Sequence, residues 1–370
     1  MPETAKPKVA YVLPEYDPDT GSHFFHVYDL VRQAAGSLDL LVVIERAGGD
    51  PSRLGVPAYV QRFSWPPLRF LEMFFVLFLE RLRGRRRCYV HYSFYGALAS
   101  WFAFGLTGGR AYYWNSGMPW LYRRPWFTER VLRFVLRRTI LVTDPSSLAQ
   151  EYRQRYRLRA DRIRIVPHYI SVRRFRDFAV SREEARGALG LPADGEIALF
   201  VHRLSRRKGA HLVPEIAAAV IRQEPRAMLI VVGDGPEREN LESRIQNLEL
   251  PNRVRMVGEV PQRSIVPYFR AADVFLMPSE EEGFPHALLE AMAAGVPYVA
   301  ADVGGVGEVT PSELRPYLLP AGDAAGFAEG ILRLLHAGAE RRARLGAAEQ
   351  ERVMRYDTAA ILPQFLSLFR

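Results

Sequence analysis

Glu282 and Glu290 stand eight positions apart across a Gly283-Phe284-Pro285 turn in this chain of 370 residues. On an unbroken helix such a pair would be rotated about 80° apart. A turn ending near Pro285 instead leaves Glu282 on a loop and Glu290 in the second turn of the helix that follows, so both can face one crevice. The N–H groups at that helix start favour an anion, which fits a phosphate better than a metal. An isolated pair otherwise reads as surface, with Glu282 solvated beside Glu280 and Glu281 and Glu290 on an ordinary helix face.

The elements that would position these residues can be read from apolar runs. Residues 272–277 form a buried strand, so the pair falls at a strand's carboxyl end, where open α/β sheets bind ligands. Strand-like runs at 8–13, 38–44, 88–92, 111–114, 139–143 and 163–166 suggest one parallel sheet, and those at 196–201, 227–232, 254–257, 272–277 and 296–300 a second. Their separations leave room for helical crossovers. The expected α/β architecture is two doubly wound, Rossmann-like domains facing a cleft, with 1–178 first, 179–352 second and a terminal helical segment at 353–370. The charged stretch 171–184 would be the linker.

Composition narrows the class. At 48% hydrophobic residues the chain can build two cores, and the single Cys88 excludes an internal disulfide and cysteine-rich metal sites. With a polar start and no signal-peptide apolar run, the expectation is a cytoplasmic protein. Charge is uneven: residues 1–180 carry 28 Lys and Arg against 15 Asp and Glu, and the rest 22 against 26. The basic half therefore points to an anionic surface or substrate. Beside Arg81, Arg83, Arg85, Arg86 and Arg87 lies the Phe-rich run 68–82, too short in its apolar stretch to span a bilayer. It reads equally as a core helix or as a helix lying on an anionic membrane. No recognisable nucleic-acid module is present, so nucleic acid is not the expected partner.

Four ordered motifs carry a family resemblance. Val201-His202-Arg203-Leu204-Ser205-Arg206-Arg207-Lys208-Gly209, Gly233-Asp234-Gly235-Pro236, Glu282 to Gly295 and Gly304-Gly305-Val306-Gly307-Glu308 resemble the donor domain of retaining GT-B-fold glycosyltransferases of family 4. The resemblance implies transfer of a hexose from a GDP- or UDP-sugar without a catalytic metal or other cofactor. It implies that Arg203 and Lys208 bind the diphosphate, Arg as a planar fork and Lys as a point charge. Glu290 would hold the ribose hydroxyls. Glu282, with backbone amides of Gly283, Phe284, Pro285 and His286, would orient the sugar. Gly233 would line the donor site, and Gly21 would stand in the glycine-rich first turn. On the acceptor side, Trp114 or Asn115 occupies the place of a middle-strand histidine, and His91 is a weaker match to another strand-end histidine. His202 stands where the family has a glycine, and Pro167-His168-Tyr169 where it has Pro-Asn-Gly. Because the positive charge and the Phe-rich run share the first domain, the expected acceptor is a lipid-linked or membrane-proximal glycan, and the expected location is cytoplasmic or peripheral at the inner face of the cell membrane.

Competing readings share the fold. An epimerase would isomerise donor alone, a phosphorylase would need orthophosphate, and a binding protein would release no nucleotide with any acceptor. Asp17-Pro18-Asp19 matches a metal motif but reads as a proline turn, and Pro14-Glu15-Tyr16-Asp17 stands where a dinucleotide fingerprint would begin.

Overall fold

The computed structural model describes residues 6–18 and 25–370, so Gly21 lies outside the described residues. The chain divides into two compact units, Met1–His168 with Ala359–Arg370, and Tyr169–Thr358. The first crossing comes earlier than the charged 171–184 stretch suggests, because Val172 and Phe175 are buried in the second core. The Phe175 ring lies 5.8 Å from that of Phe269.

The first unit holds β1 (Lys8–Leu13), β2 (Asp39–Ile44), β3 (Ala58–Val60), β4 (Arg87–His91), β5 (Arg110–Trp114), β6 (Ile140–Thr143) and β7 (Ile163–Ile165). They pair all-parallel in the order β3-β2-β1-β4-β5-β6-β7. Strands covered on both faces need near-continuous apolar runs. Val9 to Leu13 and Cys88 to His91 meet that condition. One face carries helices over Val12, Val90 and Tyr113. On the other, Tyr89 packs against Phe365 at 5.1 Å and Tyr112 donates its hydroxyl to the Leu368 carbonyl at 2.6 Å, which ties residues 359–370 to this sheet.

The second unit repeats the plan with β8 (Glu196–Val201), β9 (Ala227–Val232), β10 (Val254–Gly258), β11 (Val274–Met277), β12 (Tyr298–Ala301) and β13 (Leu318–Leu319), again all-parallel, in the order β10-β9-β8-β11-β12-β13. β3 and β13 are additions to the sequence reading. Both are short edge strands whose few residues carry too little pattern to stand out.

Glu349 is a cost built into this unit. It is fully buried on the Gly338–Val353 helix, and neither carboxylate oxygen has a hydrogen-bond partner among the described residues. Burial pushes its carboxyl well above the ordinary range, so it is held protonated. Glu349→Met is expected to stabilise the protein by about 1–3 kcal/mol, with the larger gain at pH 8 than at pH 5. Chemical melts of the two proteins at both pH values check this, and a loss of stability at pH 8 would refute it.

Candidate functional site

In the second sheet the order reverses direction between β8 and β11, which pair at Val274–Ala198 and Phe275–Leu199. Ligands bind outside the carboxyl ends of strands at such a switch point. The loop 202–209 leaves β8 there and the loop 278–285 leaves β11 there, so the topology brings the Arg203–Lys208 and Glu282 motifs to one edge. Two glycines let the loops close up. Gly209 has φ +68°, and a Cβ there would overlap the Pro278 carbonyl. Gly304 has φ +54°, and a Cβ would overlap the Glu282 carbonyl. Both conformations are left-handed, which glycine alone adopts at no steric cost. The third motif serves the same packing: the Leu204 N–H donates to the Asp234 carbonyl at 2.9 Å, and Gly233 donates to the Gly258 carbonyl at 2.8 Å beside the His202 backbone.

Glu282 is buried rather than solvated. Its Oε1 receives the Lys208 ammonium at 2.7 Å, the Ser279 hydroxyl at 2.8 Å and His202 Nε2 at 3.3 Å. The tautomer of His202 follows from its neighbours. The Arg203 backbone N–H donates to His202 Nδ1 at 2.9 Å, so the neutral ring carries its proton on Nε2 and donates it to Glu282. Burial, reinforced by the Lys208 charge, lowers the His202 pKa and keeps the ring neutral. Burial alone would raise the Glu282 carboxyl, but Lys208 and His202 outweigh it and bring it down to about 2. Glu282 is therefore a fixed carboxylate, suited to accept hydrogen bonds and unsuited to donate a proton near neutral pH. No partner falls to its second oxygen among the described residues, which leaves an acceptor for a ligand hydroxyl.

Glu290 has a separate set of partners. It sits on the His286–Ala294 helix, where Gln262 donates to it through Nε2, with the Arg174 charge nearby. Burial dominates and pushes its carboxyl up to about 7. The two carboxylates thus differ by their surroundings: one is ionised throughout the neutral range and one titrates within it.

The remaining sequence candidates fall unevenly. Lys208 is buried, whereas the Arg203 side chain is exposed, with no side-chain partner among the described residues. Of the amides expected to face a sugar, Pro285 has no N–H and His286 spends its own on the Phe284 carbonyl at 3.1 Å, which takes both out of that set. The Phe284 ring is buried against Tyr356 at 5.7 Å. In the first unit, His91 and Trp114 are buried and stacked on each other with ring centroids 4.1 Å apart, and His168 meets the Trp114 ring at 4.6 Å. Asn115 accepts from the Gly117 N–H and donates to the Tyr113 hydroxyl, both at 2.8 Å, so it serves its own turn. Among the described residues, no group of His, Cys, Asp and Glu is placed to hold a metal ion.

Sequence reading missed His202, Gln262 and Arg174 as participants. A signal existed only for His202, as an imidazole where the resembled motif has glycine. Its removal tests its place. His202→Gly is expected to lower the kcat/KM for donor turnover about tenfold or more, the worth of one hydrogen bond to a charged group. An unchanged kcat/KM would show the imidazole to be idle.

Comparison with known proteins agrees with the geometry. Residues 181–352 match the family model described as glycosyl transferases group 1. A D-inositol 3-phosphate glycosyltransferase of Saccharomonospora viridis is 30% identical over 239 residues, covering 62% of this chain and 55% of its own. The chain spans about half the length of the curated relatives it matches. Among solved structures, the sucrose-phosphate synthase of Thermosynechococcus elongatus superposes with TM-score 0.82 at 24% identity, covering 99% of this chain and 98% of its own. Anabaena HepE in complex with UDP and glucose superposes with TM-score 0.81 at 20% identity, covering 98% of each chain. The fold is the GT-B type of two Rossmann-like domains.

Proposed function

We propose, from the match of residues 181–352 to glycosyl transferases group 1, that this protein is a retaining, metal-independent glycosyltransferase. It moves a hexose from a GDP- or UDP-sugar to a lipid-linked or membrane-proximal glycan acceptor. The observation that carries the reading is the cluster of buried Glu282 and Lys208 with half-buried His202 at the switch point of the second sheet.

The roles follow from chemistry. A nucleotide sugar departs as a nucleoside diphosphate, whose growing charge needs fixed cations. Arg203 is the exposed planar donor for that diphosphate. Lys208 has three N–H donors, one directed at Glu282, and a remaining one can reach a phosphate oxygen. Glu282, ionised and held from three sides, accepts from sugar hydroxyls through its second oxygen. Glu290 accepts from the ribose hydroxyls. The acceptor hydroxyl attacks from the face the diphosphate leaves, its proton passing to the leaving phosphate, so no protein nucleophile is required. Support for the donor class comes from HepE, captured with UDP and glucose. The phosphate-bearing acceptor in the name of the Saccharomonospora relative accords with the basic first half of this chain.

A thermal-shift screen of nucleotide sugars and nucleoside diphosphates tests the reading, since a ligand of the native state alone raises its stability. A UDP- or GDP-sugar is expected to raise Tm in the wild type and to lose most of that effect in Arg203→Ala. If no nucleotide shifts the transition, the donor site is misassigned. Anomeric analysis of the product then reads retention directly.

A further inference from the structure

The exposed large apolar side chains of this protein are concentrated in one layer. Of seventeen among the described residues, fourteen lie between Phe63 and Phe127, nine of them on the helical elements over one face of the first sheet and the rest in the loops and turns that flank or join those elements. The Pro66–Leu82 helix shows how they are arranged. Leu68, Leu71, Phe75, Leu79 and Leu82 are all exposed, and at 100° per residue they fall within an arc of roughly 80°. Met73, Leu77 and Glu80 are buried on the opposite side. The helix is therefore a core element by one face and carries a second apolar stripe facing outward. It packs beside Phe94–Ser100 and the Trp101–Gly105 turn, which in turn meet the Trp126–Arg138 helix. At the start of that last helix Trp126 is 74% and Phe127 64% exposed. A run of exposed apolar side chains along one helix face, as from Leu68 to Leu82, marks an interaction site.

Charge selects the occupant. Residues 51–138 contain fifteen arginines and only three carboxylates. Each carboxylate is already engaged: Glu72 by the Tyr59 hydroxyl and the Arg62 N–H, Glu80 by Arg83 and Arg85, Glu129 by Arg133. Exposed Arg86, Arg123 and Arg130 lie in the same stretch and form no ion pair among the described residues. A second copy would bring the same excess of positive charge against this face and be repelled. A hydrocarbon interior under anionic headgroups satisfies both features at once.

We propose that the outer face of this helical layer docks on an anionic lipid bilayer, with the Leu68–Leu82 stripe and the Trp126-Phe127 knuckle inserted at the headgroup boundary. This goes beyond the transferase reading and does not depend on it. No helix among the described residues is long and apolar enough to cross a membrane, so the contact is interfacial.

The test is flotation of the full chain with vesicles of phosphatidylcholine alone and of phosphatidylcholine with phosphatidylglycerol at about three to one. Binding is expected to the anionic vesicles only, to weaken about tenfold or more in Phe75→Glu/Leu79→Glu, and to weaken similarly in Trp126→Ser/Phe127→Ser. These side chains point outward, so thermal melts and the nucleotide-induced shift of the variants should match the wild type. That second readout separates failure of the docking face from failure of the donor site. Equal binding by wild type and both variants would overturn the proposal. So would a concentration-dependent dimer on gel filtration that Phe75→Glu/Leu79→Glu abolishes, because the face would then belong to a second copy.

Discussion

Replacing Lys208 by Met is expected to cost about 3–5 kcal/mol of stability, the usual penalty for removing one partner of a buried ion pair. It is also expected to abolish measurable glycosyl transfer. The penalty arises because Glu282 stays behind: it is buried, and of its three donors only Lys208 carries a full charge, since His202 is held neutral. In the wild type the Glu282 carboxyl sits near 2, below its ordinary value of 4.5. A group with a depressed folded-state pKa stabilises the protein above its unfolded pKa, and that stabilisation fades as pH falls from about 4.5 through about 2. In Lys208→Met burial acts without the ammonium, the carboxyl rises, and acid should restore part of the lost stability as Glu282 takes up a proton. Adding Glu282→Gln should recover most of the stability at pH 7 without recovering transfer. Urea melts of the two single variants and the double variant measure this. Additive losses, with no coupling between the two positions, would mean that the ion pair is not what holds the loops.

Glu290 gives the opposite pH dependence. Burial holds its carboxyl near 7 in the folded protein against 4.5 when unfolded. A raised carboxyl stabilises the fold below its unfolded pKa, and that contribution is lost as pH rises through the folded value. A shift of this size corresponds to as much as about 3 kcal/mol, lost between about pH 4.5 and 7. Glu290→Gln keeps the shape and the Gln262 contact region but has no proton to lose. Its stability relative to wild type is therefore expected to be greater at pH 8 than at pH 5, by up to that amount. Nucleotide binding should separate the two further. If the ionised carboxylate accepts from ribose hydroxyls, wild-type affinity rises across pH 7 while the variant's stays flat and weak. Parallel stability profiles for both proteins from pH 5 to 8 would show that Glu290 is ionised throughout.

Much of the architecture was legible before the structure. Runs such as Val9 to Leu13 and Ala227 to Val232 read as covered strands because both faces of a doubly wound sheet are packed, and the spacing between them required crossovers. β3 and β13 escaped because three and two residues at a sheet edge owe their conformation to a neighbour strand, not to their own pattern. The Phe-rich helix could be read either as core or as membrane-facing. The fold shows it to be core on one face and exposed on the other, a distinction set by which neighbours cover it.

The candidate site divides along the same line. The four motifs stand within about a hundred residues, and their glycines, strand ends and helix start are local features that composition and spacing reveal. Apolar patterning gives two parallel sheets and the ligand edge of the second, and the family resemblance singles out Lys208, Glu282 and Glu290 at it. Tertiary structure decided what those residues are chemically. The charge of Glu282 is set by Lys208 and His202, which reach it from the end of a different strand, and the proton on Glu290 by burial with Gln262 and Arg174 brought from two further segments. Protonation is a sum of burial and charge over groups distant in the chain, so it exists only once the chain has folded.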